Sequence, residues 1–221
     1  HEETPEGRRA AANPFHEAAS RAVERLDVAD LEALLRRAAM QLGSAVALDE
    51  VVVPLLRDIG ERWHRGELTP AHEHLATAAI RRVLAWMSSS ALVPHYAPLV
   101  VVATPANQRH ELGAKIAATT AATEGWRVLY LGPDLPAEAI ASAAAQAGAS
   151  VVALSMIFPT SDPGLVAEVA RLRQLLPPHI QILAGGPAAM ANELELTTSG
   201  TRVMRSLGEL RILLRSLNPN G

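Results

Sequence analysis

Apolar residues recur with a helical period up to about residue 90 and in short continuous runs after about residue 98, so the chain carries two packing plans in series. Asn13-Pro14 pairs a helix cap with a proline at the first helical position and predicts a helix through about Leu26. A second helix is expected from Asp30 to Leu42, with Leu31, Leu34, Leu35, Ala38 and Leu42 on one stripe and Gly43 as its stop. A third covers Asp49 to His64, with Val52, Leu55, Leu56, Ile59 and Trp63 in line and Pro54 near its start. Thr69-Pro70 repeats the cap-plus-proline signal and opens a fourth, to about Ser88. Four helices with short connections predict a four-helix bundle over residues 13–90, after a polar, disordered lead-in at residues 1–12. Serines and prolines over residues 91–98 and just before them mark a linker.

Beyond the linker, the runs Leu99–Ala103, Arg127–Leu131, Ser150–Leu154 and Ile180–Ala184, with a short one at Thr201–Met204, alternate with helical stretches near 110–124, 136–147, 163–175, 187–198 and 206–217. Apolar runs without alternation suit strands buried on both faces. Single helices between them predict a doubly wound, flavodoxin- or Rossmann-like parallel sheet domain over residues 99–221. In that architecture ligands bind beyond the carboxyl ends of the strands. Attention therefore falls on residues 104–113, 132–135, 155–161 and 185–187.

Composition removes several classes of function. Twenty basic against 23 acidic side chains, net charge −3, argue against a nucleic-acid surface carried by these residues. Without cysteine there is no disulfide, thiol nucleophile, cysteine-bound zinc or iron–sulfur cluster. No apolar run approaches the length of a bilayer crossing and no signal peptide is visible, so a cytoplasmic protein away from membranes is expected. Aromatics are only 3% of the chain, so any aromatic away from the core is informative.

Thr104–Gly113 follows the first run directly and places His110 on a loop at the mouth of the sheet, where an imidazole can reach a metal held above the strand ends; a solvated or capping histidine is the other reading. Gly113 opens the next helix without a side chain, and Ser155, Gly185 and Gly186 put small residues at two further strand ends, a slot for a long ligand arm. Gln108-Arg-His110-Glu-Leu-Gly113 is followed after 41 residues by Ser155-Met-Ile157, and after 27 more by Gly185-Gly186. In order and spacing this resembles the signature of the cobalamin (B12)-binding domain family. The resemblance implies that His110 is the lower axial ligand of cobalt and that the displaced nucleotide tail lies along Ser155, Gly185 and Gly186. Gln108 stands where the family usually has a carboxylate that orients the histidine; an amide can accept the same hydrogen bond without sharing charge.

In the helical half, Glu73 shares a stripe with Thr77, Ile80, Leu84 and Met87, either as a ligand-facing carboxylate or as a charge favouring the helix N-terminus. Trp63 ends an apolar stripe, and core packing is its other reading. His72 and His74 lie about 200° apart on a helix and cannot share one ion, which argues against zinc there. Trp63-His64 and Glu73-His74 together form Trp-x9-Glu-His, which resembles the CarH-type adenosylcobalamin-dependent photoreceptors, light-responsive regulators of the MerR class, over about residues 15–217. The resemblance implies a bundle capping the upper face of the corrin, with Trp63 against the adenosyl group, Glu73 and His74 touching that group or a neighbouring protomer, and His64 as an upper cobalt ligand after light. It also implies a homo-oligomer in the dark and action on DNA only through a domain absent from these residues or through a partner protein. A corrinoid methyl carrier and a photocobilin-type sensor with an added bilin are the alternatives, a mutase subunit a more remote one. No general base or nucleophile is evident, so a non-enzyme is expected.

Overall fold

The cap-plus-proline signal occurs earlier than Asn13. In the computed structural model, which describes residues 4–160 and 162–218, Thr4 accepts the Gly7 N–H through its hydroxyl at 3.2 Å, and Pro5 opens helix α1 (Pro5–Glu24). The lead-in expected at residues 1–12 is thus helical from Pro5 onward, while residues 1–3 lie outside the described residues. Ala10, Ala11 and Ala12 favour the helix, Ala12 is buried, and Pro14 sits within α1 on its exposed side, where it withholds one backbone donor.

Asp27 caps α2 (Val28–Leu42) by accepting the Asp30 N–H. The third helix, expected from Asp49, starts earlier, at Ser44, and comes in three pieces: α3 (Ser44–Ala47), a widened π-helical turn over Leu48–Val52, and α4 (Val53–His64). Pro54 has no N–H to donate, and the widened turn immediately precedes it. Next comes α5 (Pro70–Ser90). Leu31, Leu35, Leu48, Leu55, Ile80 and Leu84 are fully buried and form the core of this first unit, which ends at Ser90.

The second unit begins at Ala91. Its order is β1 (Leu99–Pro105), α6 (Leu112–Thr123), β2 (Arg127–Leu135), α7 (Ala137–Ala147), β3 (Val151–Ser155), α8 (Pro163–Leu175), β4 (Gln181–Gly185), α9 (Pro187–Ala191), α10 (Glu193–Thr198), β5 (Thr201–Met204) and α11 (Leu207–Leu217). The single helix expected at 187–198 breaks at Asn192, whose side-chain amide donates to the carbonyls of Ala188 and Thr160 and so competes with the helix ladder. Among the described residues the strands form one parallel sheet of order β2-β1-β3-β4-β5.

Alternate residues of β1 serve different cores. Leu99, Val101 and Ala103 pack with α7, α8, α9 and α10 through Ile140, Leu165, Val169, Ala188 and Leu196. Val100 and Val102 pack with α6 and α11 through Ala114, Ala118, Leu210 and Leu214. The chain therefore leaves β1 toward one face and leaves the neighbouring β3 toward the other, and the sheet opens between their carboxyl ends. No helix among the described residues is long and apolar enough to cross a membrane.

Trp126 anchors the α6 and α11 face. It is fully buried, and its indole N–H donates to the Leu214 carbonyl at 3.1 Å. Trp126→Ala should lower the stability of this unit by about 3–5 kcal/mol, and Trp126→Phe by less, since it keeps much of the apolar burial but leaves the carbonyl unpaired. Urea unfolding of both variants against the wild type measures the difference.

Candidate cobalamin site

The His110 loop is the segment between β1 and α6, and buried polar contacts hold it. The Thr104 hydroxyl donates to the Gln108 carbonyl and accepts the Asp134 N–H at 2.9 Å. The Asp134 carboxylate, at the end of β2, accepts the Asn107 N–H at 2.7 Å. Asn107 and Asp134 both adopt positive φ (68° and 60°), a conformation that these two residue types tolerate better than most. Sequence reasoning overlooked Thr104 and Asp134; the signal was a threonine closing an apolar strand run and an aspartate just after Gly132-Pro133.

Gln108 behaves differently from the expectation. It is buried (1% exposed), and its Oε1 accepts the backbone N–H of Ile157 at 2.8 Å and of Phe158 at 3.1 Å, while its Nε2 donates weakly to the Pro159 carbonyl at 3.4 Å. The amide oxygen is thus committed to the β3–α8 loop rather than to the imidazole. The physical reason is that two backbone N–H groups at the end of β3 lack ladder partners and sit within reach of its two lone pairs. His110 is exposed, and its described side-chain contact is an edge-on approach to the Phe158 ring, 6.3 Å between centroids at 79°.

The small residues converge as the spacing requires. A Cβ on Gly113 would strike the Ser155 hydroxyl and lie 3.2 Å from Ile157 Cδ1, so glycine lets α6 start directly over the end of β3 without displacing those side chains. Gly186 adopts φ +103°, and a Cβ there would meet the Met156 carbonyl; the Ala188 N–H donates to that same oxygen at 3.0 Å, docking α9 on the end of β3. Gly185 differs: a Cβ there would make only ordinary contacts with Met204, at 3.5 and 3.9 Å, so it is the glycine with space beside it. Ser155 is buried (6% exposed) between them. An exposed imidazole at the crevice mouth, with side-chain-free backbone lining its wall, fits a ligand that offers a metal above the sheet and an arm into it.

Beside His110, the Tyr130 hydroxyl donates to Glu111 Oε2 at 2.6 Å, and the ammonium of Lys115 lies 4.2 Å from the Tyr130 ring centroid. These contacts brace the first turn of α6 against β2.

In the bundle unit, Trp63 leaves the apolar stripe: Leu55 and Ile59 are buried, but Trp63 is 45% exposed and meets the His64 ring edge-on, 5.0 Å between centroids. His64 Nδ1 lies 2.8 Å from the Gly60 carbonyl. A carbonyl only accepts, so Nδ1 carries the proton and Nε2 keeps its lone pair in the neutral ring. Glu73 is half-buried at the N-terminal end of the Ile80–Leu84–Met87 stripe; its Oε1 accepts the Thr77 hydroxyl at 2.7 Å and its Oε2 lies 3.8 Å from His74 Nδ1. His74 is exposed, whereas His72 accepts the Thr69 N–H at 3.1 Å and so caps its own helix. No hydrogen bond, ion pair or ring contact joins the Trp63–His64 pair to the Glu73–His74 pair among the described residues, and no cluster of three metal-ligating side chains occurs among them.

The turn carrying these residues is tied down by Arg62, which reaches Ser20 (3.0 Å), Glu24 (2.8 Å), Asp58 (3.4 Å) and Glu67 (3.5 Å). The Arg65 guanidinium, hydrogen-bonded to Glu67, holds that carboxyl below the usual carboxylate range.

A B12 binding domain family model matches residues 98–211, the greater part of the sheet unit, and a second B12 binding domain model matches residues 16–87. The HTH-type transcriptional repressor CarH of Myxococcus xanthus is 35% identical over 147 residues, 66% of this chain and 49% of that protein. The HTH-type transcriptional repressor CarA of the same organism is 37% identical over 109 residues, 49% of this chain and 36% of that protein. The chain thus spans about half, or less, of the length of these relatives. The structure of the Methanosarcina barkeri monomethylamine corrinoid protein matches with a TM-score of 0.68 at 16% identity, over 93% of this chain and 99% of that one, a likeness of fold. With its crevice residues in the family's order and spacing, and the family model covering more than half its length, the chain belongs to the B12-binding domain family.

Proposed function

We propose that the chain is the cobalamin-binding sensory part of a light-responsive regulator, with adenosylcobalamin as its dark-state cofactor. The observation that carries this reading is the Trp63–His64 pair: the indole is half exposed and paired with an imidazole instead of buried in the bundle core. It belongs to a chain whose sheet unit is a cobalamin-binding domain. Adenosylcobalamin, when bound, supplies a cobalt–carbon bond that light cleaves. His110 would hold the cobalt through its imidazole, its exposed ring free of side-chain hydrogen bonds among the described residues. Ser155, Gly185 and Gly186 receive the nucleotide tail, with Gly185 providing the room.

In the bundle, Trp63 offers an apolar face to the adenosyl group, and Glu73 and His74 offer polar contacts to it or to a neighbouring protomer. His64 is prepared as an alternative ligand, because the Nδ1–H bond to Gly60 leaves Nε2 as the metal-binding nitrogen. A ligand shifts such a protein only if it distinguishes two states; here the states differ in whether the space at Trp63 is filled. These groups bind and orient, so the chain is not an enzyme in this reading. It works as a homo-oligomer in the dark and reaches DNA through a separate DNA-binding domain or through a partner protein. Both M. xanthus relatives are HTH-type repressors, which supports the regulatory role.

The second reading is a corrinoid methyl carrier, whose fold is shared with the monomethylamine corrinoid protein. Fold does not separate the two; Trp-x9-Glu-His favours the sensor.

With adenosylcobalamin bound, green light should change the absorption spectrum irreversibly and change the elution volume on sizing. An unchanged volume removes the switching role, and rapid methyl transfer from the methylcobalamin form to a thiol partner would favour the carrier. His110→Ala should weaken dark binding on the order of tenfold or more and lose the spectrum of the base-off state. His64→Ala should bind normally in the dark but release cobalamin after light, followed by equilibrium dialysis.

The two adjacent glycines should separate fold from binding. Gly186→Ala meets the Met156 carbonyl at positive φ and should cost about 2 kcal/mol or more of stability. Gly185→Ala should leave the melting temperature nearly unchanged but reduce cobalamin affinity, since its methyl group enters the space proposed for the tail.

A further inference from the structure

We propose that Gln108 is a positioning residue of the cobalamin crevice, tying the loop after β3 to the loop after β1 so that Phe158 is held against the imidazole of His110. The inference rests on the reading of His110 as the lower axial ligand. The two loops leave adjacent strands toward opposite faces of the sheet, so nothing in the strand ladder fixes their separation. Gln108 spans that gap with three side-chain hydrogen bonds, to the N–H groups of Ile157 and Phe158 and to the carbonyl of Pro159. Its own backbone is held at both ends: the N–H donates to the Pro105 carbonyl at 3.0 Å, and the carbonyl accepts from the fully buried Thr104. Both lone pairs of the amide oxygen are used, on adjacent residues, so the backbone of Ile157 and Phe158 is located relative to the His110 loop.

Phe158 is 63% exposed, and burial therefore does not explain its position. Its ring nevertheless stands edge-on to His110, at 79° between planes. An edge contact is weak and broad; it selects one imidazole orientation only when the backbone beneath the phenyl ring is already fixed. Gln108 supplies that fixation. Two residues before His110 in sequence, it acts on the imidazole by a route that passes through residue 158, across the opening of the sheet. Ile157 shares the device: its Cδ1 would lie 3.2 Å from a Cβ on Gly113 and 3.0 Å from one on Gly186, so the same loop residue wedges between the two glycines that let the helices approach.

The test compares Gln108→Leu and Phe158→Leu in the full chain, first without cofactor. In Gln108→Leu, amide hydrogen exchange at Ile157 and Phe158 should accelerate on the order of tenfold while the thermal melt stays cooperative. In both variants the NMR signals of the His110 ring should shift in the same direction as the phenyl ring current is lost, while in Phe158→Leu the two amides should remain slow to exchange. Dark affinity for adenosylcobalamin should fall on the order of tenfold in each. His110 ring signals that match the wild type in both variants would overturn the proposal. If Gln108→Leu fails to fold, Phe158→Leu decides alone, because an exposed side chain is not needed for folding: a shifted His110 signal with weaker binding supports the device, and wild-type behaviour removes it. His110→Ala run in parallel keeps the two ideas apart. If it binds cobalamin like the wild type, the ligand assignment falls, whereas the cofactor-free measurements still report on the clamp.

Discussion

Burial of β1 and β3 on both faces is the constraint from which the rest of the sheet unit follows. Leu99, Val101 and Ala103 are claimed by one layer of helices and Val100 and Val102 by the other, so neither strand can turn a polar face to water. Functional groups are consequently displaced to the loops beyond the strand ends. Because the chain leaves β1 and β3 toward opposite faces, those loops part and leave a crevice. Everything assigned to cobalamin in this unit is a consequence of lining that opening: an imidazole at its mouth, glycines where helices crowd the end of β3, and a buried amide holding its two sides at a set distance.

The bundle unit solves a different problem. Its core is aliphatic, with Leu31, Leu35, Leu55, Ile80 and Leu84 buried, and its scarce aromatics are freed for other work. Trp63 and His64 occupy the last turn of α4, where the stripe runs past the core. Arg62, tied to α1 and to the following turn, keeps that end from fraying. The proposed sensing role suits this arrangement, since a mobile support would absorb the difference between filled and empty states.

Much of this was legible from residue order. A helical period against short continuous apolar runs separated the units, and cap-plus-proline pairs located helix starts, with Thr69-Pro70 opening α5. The same rule applied at Asn13-Pro14 misplaced the start of α1, because Thr4-Pro5 carries an equivalent signal and the alanines after it extend the helix through Pro14. Asn192 was invisible as a break, since its effect depends on reaching Thr160, 32 residues earlier. Trp63 matched the spacing of a core residue, and only its exposure distinguishes the two readings.

The sequence by itself determined the alternation of strands and helices in the sheet unit and the spacing that brings Gly113, Ser155 and Gly185 together at the strand ends. The spacings from Gly113 to Ser155 and from Ile157 to Gly185 are strand-and-helix lengths, and such lengths are encoded locally by hydrophobic period and turn residues. Only the tertiary structure decided what Gln108 does. Read along the chain it sits two residues from His110 and invites the role of its hydrogen-bond partner. In the folded protein its oxygen is taken by N–H groups 49 and 50 residues away, because backbone donors just past a strand end have no ladder partner and this acceptor lies within their reach. Spacing can nominate a ligand, but a hydrogen bond goes to whichever donor the fold brings within reach.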